Sequence, residues 1–455
     1  MSRYLLDFIQ VFIITLIPLL LAGLLWLAVR QLRIRRGASL PPLRTGQILL
    51  NFALAGDVLM TVFLTLLMRT TSTVTLTQFH LFASWREAWN AWSPHLFEQL
   101  FLNIGVFVPF GALLAMRFPK LRQAWAVGSV SFGFSLCIET MQLIFRRGVF
   151  DADDLFCNTA GGILGGALVC MILHTAHRRP GRAILAALPL LAGGLACVAF
   201  FGSYAVQPYG NLSIAPNYRY PMRDVAFSVE FTLDSEPSNA PVYVLRSFTE
   251  TEAEAAAEAI LAGVELTPAE VDIAHYAGGS DFSLPDNGIF LTFTRDGGSW
   301  YLSHEKGGAH HAPAIGTAEQ LCQWLSGFGL DLTGAEVTYA GNQLWYVVPA
   351  AADRATAGKI VCHFFDDGRW TVSADTPVLC EVACAPILTP AEAADAIRQG
   401  RFRWFYDQID TFSSLSLNDL SLVWRTDTKG YQVPVWKATV TADGKNAVIL
   451  IPALR

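Results

Sequence analysis

The sequence predicts an α-helical polytopic membrane bundle of about six transmembrane helices, followed by a soluble α+β domain. Three observations predict it. Apolar residues make up 53% of the 455 positions, above the usual share for a soluble globular protein. Those of the first 206 residues gather into runs of about 20, the length that crosses the hydrocarbon core of a bilayer. Charge divides at the same point. Residues 1–206 hold 16 Lys+Arg and 8 Asp+Glu, and residues 207–455 hold 16 and 30, which together make the chain's 32 and 38. The first part is basic and apolar, and the second is acidic. An acidic surface argues against nucleic acid as a partner.

The expected spans are 4–29, 47–68, 98–116, 122–145, 155–177 and 182–206. The first is too long for a signal peptide and has no small-residue cleavage site before "RQLRIRRG", so it reads as a retained helix. Three alternate loops carry the basic residues: 30–46 with Arg30, Arg33, Arg35, Arg36 and Arg44, 117–121 with Arg117 and Lys120, and 178–181 with Arg178 and Arg179. The positive-inside rule puts these loops in the cytoplasm and both chain ends outside. The expected organisation is a first helix with its basic loop over 1–46, a membrane domain over 47–177, a further span over 178–206 and an extracytoplasmic α+β domain over 207–455.

In the outer loop 69–97, "SWREAWNAW" places Trp85, Trp89 and Trp92 on one helical face. A short helix there either buries its rings at headgroup depth or packs against the bundle. Beyond the tether "YAVQPYGNLSIAPNYRYP", the stretches "PVYVLRS", "GIFLTFTR", "SWYLSH", "QLWYVVP", "KIVCHFF", "RWTVSA", "LSLVWRT" and "NAVILIP" read as strands from their β-branched and aromatic content. "TEAEAAAEAILAG" reads as a helix stopped by glycine. "LTPAE" occurs at 266–270 and at 388–392, each with the form of a capping box. It marks either tandem α+β units or a capping sequence used twice. Cys322, Cys362, Cys380 and Cys384 permit two disulfides in an oxidising location. They lack metal-ligand spacing, so neither a metal nor another cofactor is expected.

The segment "RRGVFDADDLFCNTAGG", residues 146–162, sits between two apolar runs. With the spans in the order above, Asn103 lies roughly 7 Å below Glu98 in span three, and Glu139 roughly 10 Å inside the end of span four. Gln142 shares the face of Glu139. Asn158 lies one turn below Asp154 in span five. Polar groups from three helices thus reach one depth near the outer surface. A carboxylate there is costly unless it is paired or neutral. Arg146 and Arg147 can pair with it, and Asn103, Gln142 and Asn158 can donate hydrogen bonds. The residues expected to hold a ligand are Asn103, Glu139, Gln142, Arg147, Asp151, Asp154 and Asn158. Gly161 and Gly165, and Gly162 and Gly166, form two small-xxx-small pairs for close helix packing. Pro109 can kink span three. Asp57, in span two, lies nearer mid-membrane and outside this cluster.

"NIGVFVPFG", "IETMQ" and "RRGVFDADDLFCNTAGG" occur in order on successive spans. This succession resembles the VanZ-like family of bacterial membrane proteins over about residues 47–177. The resemblance carries the family pattern onto Asn103, Phe107, Pro109, Gly111, Glu139, Gln142, Asp151, Asp154, Asn158 and Gly161, with either Arg146 or Arg147 as the arginine. It implies a cell-envelope protein and a link to low-level resistance to teicoplanin-type glycopeptides, but no reaction. The ending "GYQVPVWKATVTADGKNAVILIPALR" is similar over a short stretch to envelope regulators of the YycI type. Three functions compete. The first is recognition of a membrane lipid headgroup or a lipid-linked cell-wall precursor at the outer leaflet, with a protein partner outside. The second is a membrane enzyme using Glu139 as acid or base, although no nucleophile elbow, phosphate loop or metal array accompanies it. The third is an envelope sensor, which lacks a cytoplasmic domain to receive a signal.

Overall fold

A computed structural model describes residues 19–21, 23–36, 44–67, 76–264, 271–284, 288–305, 315–350, 358–404 and 411–455. The chain divides into two compact units. One holds the chain to Pro208 together with Pro216–Tyr218, and the other holds Tyr209–Ala215 and Arg219–Arg455.

In the first unit, residues 19–21 and 23–35 are helical (α1). The rest of the expected first span lies outside the described residues. Then follow α2 (Thr45–Val62), which continues as a π-turn over Phe63–Leu67, and the short α3 (Ala83–Ala91). The long helices α4 (Pro94–Arg117), α5 (Ala124–Phe145), α6 (Ala152–Ala176) and α7 (Pro180–Val206) complete the bundle. Among the described residues, five helices are long and apolar enough to cross a membrane. Pro109 does not break α4, which runs on through it.

The two glycine pairs of α6 serve two different neighbours. A Cβ on Gly161 or Gly165 would stand 2.0 or 1.9 Å from the carbonyl oxygens of Ile104 and Val108 in α4. A Cβ on Gly162 would meet Ser131 Oγ at 2.0 Å in α5, and one on Gly166 would touch Val127. Gly111 of α4 in turn lies against the backbone of Gly162. Only bare backbone fits these crossings, so the sequence "GGILGG" fixes α6 as the central helix.

The tryptophan face of α3 packs on the bundle. Trp92 stacks on Tyr204 with ring centroids 3.4 Å apart. Trp89 meets Phe200 at 4.8 Å, and Phe97 meets Phe201 at 5.5 Å. Two short strands, β1 (Leu76–Gln78) and β2 (Val149–Asp151), pair in parallel between the helices.

The second unit contains two sheets. Eight strands form the first: β5 (Asp272–Tyr276), β6 (Gly279–Leu284), β7 (Ile289–Thr294), β8 (Trp300–His304), β9 (Glu336–Tyr339), β10 (Leu344–Val348), β11 (Lys359–Phe364) and β12 (Trp370–Asp375). They are antiparallel in the order β5-β6-β7-β8-β12-β11-β10-β9. This is two four-strand meanders joined at β8 and β12. Each meander follows a helix: α8 (Glu250–Ala262) precedes the first and α9 (Ala318–Ser326) the second. Both helices pack into one core with Leu291, Leu302, Val347, Ile360 and Trp370. The second sheet holds β3 (Ala226–Val229), β4 (Ser238–Leu245), β13 (Leu379–Ile387), β14 (Arg403–Trp404), β15 (Ser414–Thr426), β16 (Tyr431–Ala442) and β17 (Lys445–Pro452). The helix α10 (Pro390–Arg398) packs on it through Ala393 and Ile397.

All eight stretches read as strands contribute strands. Tandem helix-plus-strand units are present, and the second copy of "LTPAE", 388–392, opens α10. The first copy, 266–270, lies outside the described residues. Thr249, Thr317 and Thr389 open α8, α9 and α10, each in a complete capping box with Glu252, Gln320 and Glu392.

The disulfides that these four cysteines permit are not formed: Cys322, Cys362, Cys380 and Cys384 all carry free thiols. Cys380 and Cys384 stand on one strand four residues apart, roughly 13 Å at strand rise and far beyond the reach of a bridge. Cys362 is buried in β11, and that burial pushes its thiol up to about 12.

Candidate functional site

The charged segment 146–162, the doorway of the bundle, lies where α2 ends, α5 ends and α6 begins. Much of it is a set of helix caps. Asp151 is the N-cap of α6 and accepts the Asp153 backbone N–H at 2.8 Å. Asp153 is fully buried and serves a different helix. Its two oxygens accept the backbone N–H groups of Phe82, at 2.5 Å, and Ser84, at 2.7 Å, at the start of α3. Ser84 Oγ donates to Asp151 Oδ2 at 2.9 Å. Both aspartates therefore sit at helix N-termini, where the macrodipole favours negative charge.

The opposite end has the opposite sign. Arg147 Nη1 donates to the Leu66 carbonyl at 3.0 Å, and Gln142 Nε2 donates to the Thr65 carbonyl at 2.9 Å. These carbonyls belong to the π-turn that ends span two, where helical acceptors are left over and a cation is favoured. The backbone places the two arginines differently. Arg146 takes the left-handed conformation (φ 54°) that closes α5 and is exposed, whereas Arg147 turns inward and is half-buried.

The remaining polar residues join helices rather than close them. Asn103 Nδ2 of α4 donates to Asp154 Oδ1 in the first turn of α6, and both residues are half-buried. Glu139 is 1% exposed, and its Oε2 accepts the Asp151 backbone N–H at 3.2 Å. Gln142 is equally buried, and its Oε1 has no hydrogen-bond partner among the described residues. Asn158 departs from the expected common depth. Its amide donates to Ser135 Oγ at 2.9 Å, one turn deeper in α5 than Glu139, so it ties α6 to α5 below the cluster.

The structure thus brings Glu139, Gln142, Arg147, Asp151 and the Asn103–Asp154 pair to one end of the bundle, and leaves Asn158 beneath them. It adds Asp153 and Ser84 at that end, and Ser135 beside Asn158 with Ser131 a turn deeper, none of which the sequence reading selected. Ser131 and Ser135 fall at i and i+4 on the face of α5 that also carries Glu139 and Gln142. Small polar residues at helical spacing inside a span were the available signal. Nothing local marked Asp153, because its donors are about 70 residues away in sequence. Among the described residues, no group of His, Cys, Asp and Glu is arranged to hold a metal ion.

Comparison with known proteins places this site inside a recognised family segment. Residues 52–174 match the family model VanZ/LLP1. Over 69 residues the chain is 36% identical to "Protein VanZ" of Enterococcus faecium, a match that covers 15% of this chain and 42% of that protein. Two solved structures align weakly. An uncharacterized protein from Eubacterium rectale aligns at 8% identity over 50% of this chain and 86% of its own, with a TM-score of 0.28. The C-terminal domain of Bacillus megaterium YpeB aligns at 11% identity over 46% and 94%, with a TM-score of 0.25. Both scores are too low to establish a shared fold.

Proposed function

Residues 52–174 form a VanZ-like domain, and from that premise we propose that its polar cluster recognises the headgroup of a membrane lipid or a lipid-linked cell-wall precursor at the outer leaflet. The observation that carries this reading is Gln142 Oε1. Buried acceptors in folded proteins are almost always hydrogen-bonded. This one has no partner among the described residues, while the amide nitrogen of the same side chain is held by Thr65. A hydroxyl or amide N–H of a ligand supplies what it lacks. Lipid headgroups and sugar–peptide precursors are rich in both. The half-buried Asn103–Asp154 pair offers a donor and an acceptor at the same helix ends. In this reading the second unit lies outside the membrane, as the positive-inside count requires, and Asn103, Glu139, Gln142, Arg147, Asp151 and Asp154 hold the ligand or shape its seat. Asn158 supports them from below. Recognition suits Glu139 better than acid–base catalysis, since its carboxylate is almost wholly enclosed and accepts a backbone N–H.

The family resemblance links the site to glycopeptide susceptibility, which gives a cellular test. Glu139→Gln keeps the shape and removes the charge. In a strain whose teicoplanin susceptibility the wild type shifts, this variant should reach normal membrane abundance and lose the shift. Normal abundance with the shift intact contradicts the proposal.

A further inference from the structure

Asp57 lies in α2, away from the cluster described above. Twelve residues separate it from the start of its helix, about 18 Å along the axis, a position deep inside a span. It is 8% exposed, and its Oδ2 is wholly buried with no hydrogen-bond partner among the described residues. Thr61, one turn further on the same face, is fully buried, and its hydroxyl likewise has no partner there. Two unsatisfied oxygens thus line one side of a span in which satisfaction by water is not available.

Asp57 borders a cavity of about 630 Å³ between α1, α2 and α4. The other walls are apolar and include Leu24, Phe52, Met60 and Leu113. Glycines allow the helices to approach around it. A Cβ on Gly23 would touch the Phe52 ring at 3.0 Å, and one on Gly56 would touch Leu19 at 3.0 Å. The volume falls within the range of about 300–1,000 Å³ that small-molecule sites occupy, and one polar group in an apolar wall is the usual means of orienting a ligand in them.

We infer that this cavity binds an amine-headed alkyl amphiphile that enters from the bilayer, its ammonium on Asp57 and its chain along α1 and α2. An ammonium supplies the two things Asp57 lacks among the described residues, an opposite charge and hydrogen-bond donors. A hydrocarbon chain matches the remaining walls and needs no aqueous route. Nothing in this site depends on the headgroup recognition proposed above.

The probe is dodecylamine carrying a diazirine at its far end, photolysed with the full-length protein in nanodiscs and mapped by peptide mass spectrometry. Labelling should fall on residues 19–35 and 45–67. Unlabelled dodecylamine should suppress it at concentrations where dodecyl methyl ether, which has no donor and no charge, does not. Asp57→Asn should weaken labelling about thirtyfold or more, the usual scale for losing one partner of a buried charge pair. Equal competition by the ether on the wild-type protein overturns the inference whether or not the variant folds. Undiminished labelling of a folded Asp57→Asn also overturns it.

Discussion

Asp153→Asn tests whether the doorway is built from helix caps. The wild-type carboxylate receives two backbone N–H groups at the start of α3, at 2.5 and 2.7 Å, and is fully buried. Hydrogen bonds to a charged group contribute about 1.5–3 kcal/mol each. Asparagine keeps one acceptor oxygen and turns an NH2 toward the other N–H, so one bond is lost and two donors face each other. The α3 segment should lose about 2–4 kcal/mol against local opening. At 1.36 kcal/mol per factor of ten, 2 kcal/mol is about 30-fold. Hydrogen-exchange mass spectrometry reads local opening directly. Amides of residues 82–92 should exchange about 30-fold faster or more, with α5 unchanged. Trp85, Trp89 and Trp92 lie in that window and should report the same loosening by red-shifted emission. Acceleration of less than about threefold would refute the capping account of Asp153.

Four further outcomes follow from the same structure. Gly165→Val places a side chain where the Val108 carbonyl oxygen stands 1.9 Å from a bare Cβ; forcing α4 and α6 apart should cost about 3 kcal/mol or more, seen as lost membrane abundance and early thermal unfolding in detergent. Thr317→Ala removes the cap of α9 and should lower the stability of the second unit by about 1 kcal/mol in urea titration. Asp443 is held down to about 2 from its ordinary 3.8, first by the backbone N–H of Ser413 and then by Ser414. Its folded value is the lower one, so its stabilisation is complete above about pH 4 and fades as pH falls toward 2; urea midpoints of residues 209–455 should fall across that window, and less so in Asp443→Asn. An alkaline phosphatase fusion at Arg455 should be active and one after Arg36 inactive, and the reverse would move the polar cluster to the cytoplasmic leaflet.

Five of the six expected spans were legible because length and hydropathy decide them with no help from tertiary contacts. Gly161, Gly162, Gly165 and Gly166 were legible as packing residues for a similar reason: spacing four apart on a helix defines a face. That the two pairs address different helices was not, since the face of α5 is set by the bundle. The polar cluster was found by depth, but depth does not tell a cap from a binding group. Arg147 and Gln142 are held by carbonyls of a π-turn over Phe63–Leu67 that no sequence pattern announced. Asn158 was assigned to the outer level because it lies one turn below Asp154, whereas α6 directs it to Ser135. In the second unit, Asp272–Tyr276 and Glu336–Tyr339 were missed as strands. They are edge strands, mostly polar and exposed, and so lack the apolar alternation of Ile289–Thr294. Leu379–Ile387 was missed because a bulge between Glu381 and Ala383 interrupts its period.

The most direct test of headgroup recognition is mass spectrometry of lipid retained by the purified full-length protein, wild type beside Gln142→Met. Methionine keeps the volume and removes the buried acceptor. Wild type should retain one polar lipid or lipid-linked precursor through detergent exchange, and Gln142→Met, at matched abundance, should lose it. The same lipid retained at the same stoichiometry by both proteins would contradict the account.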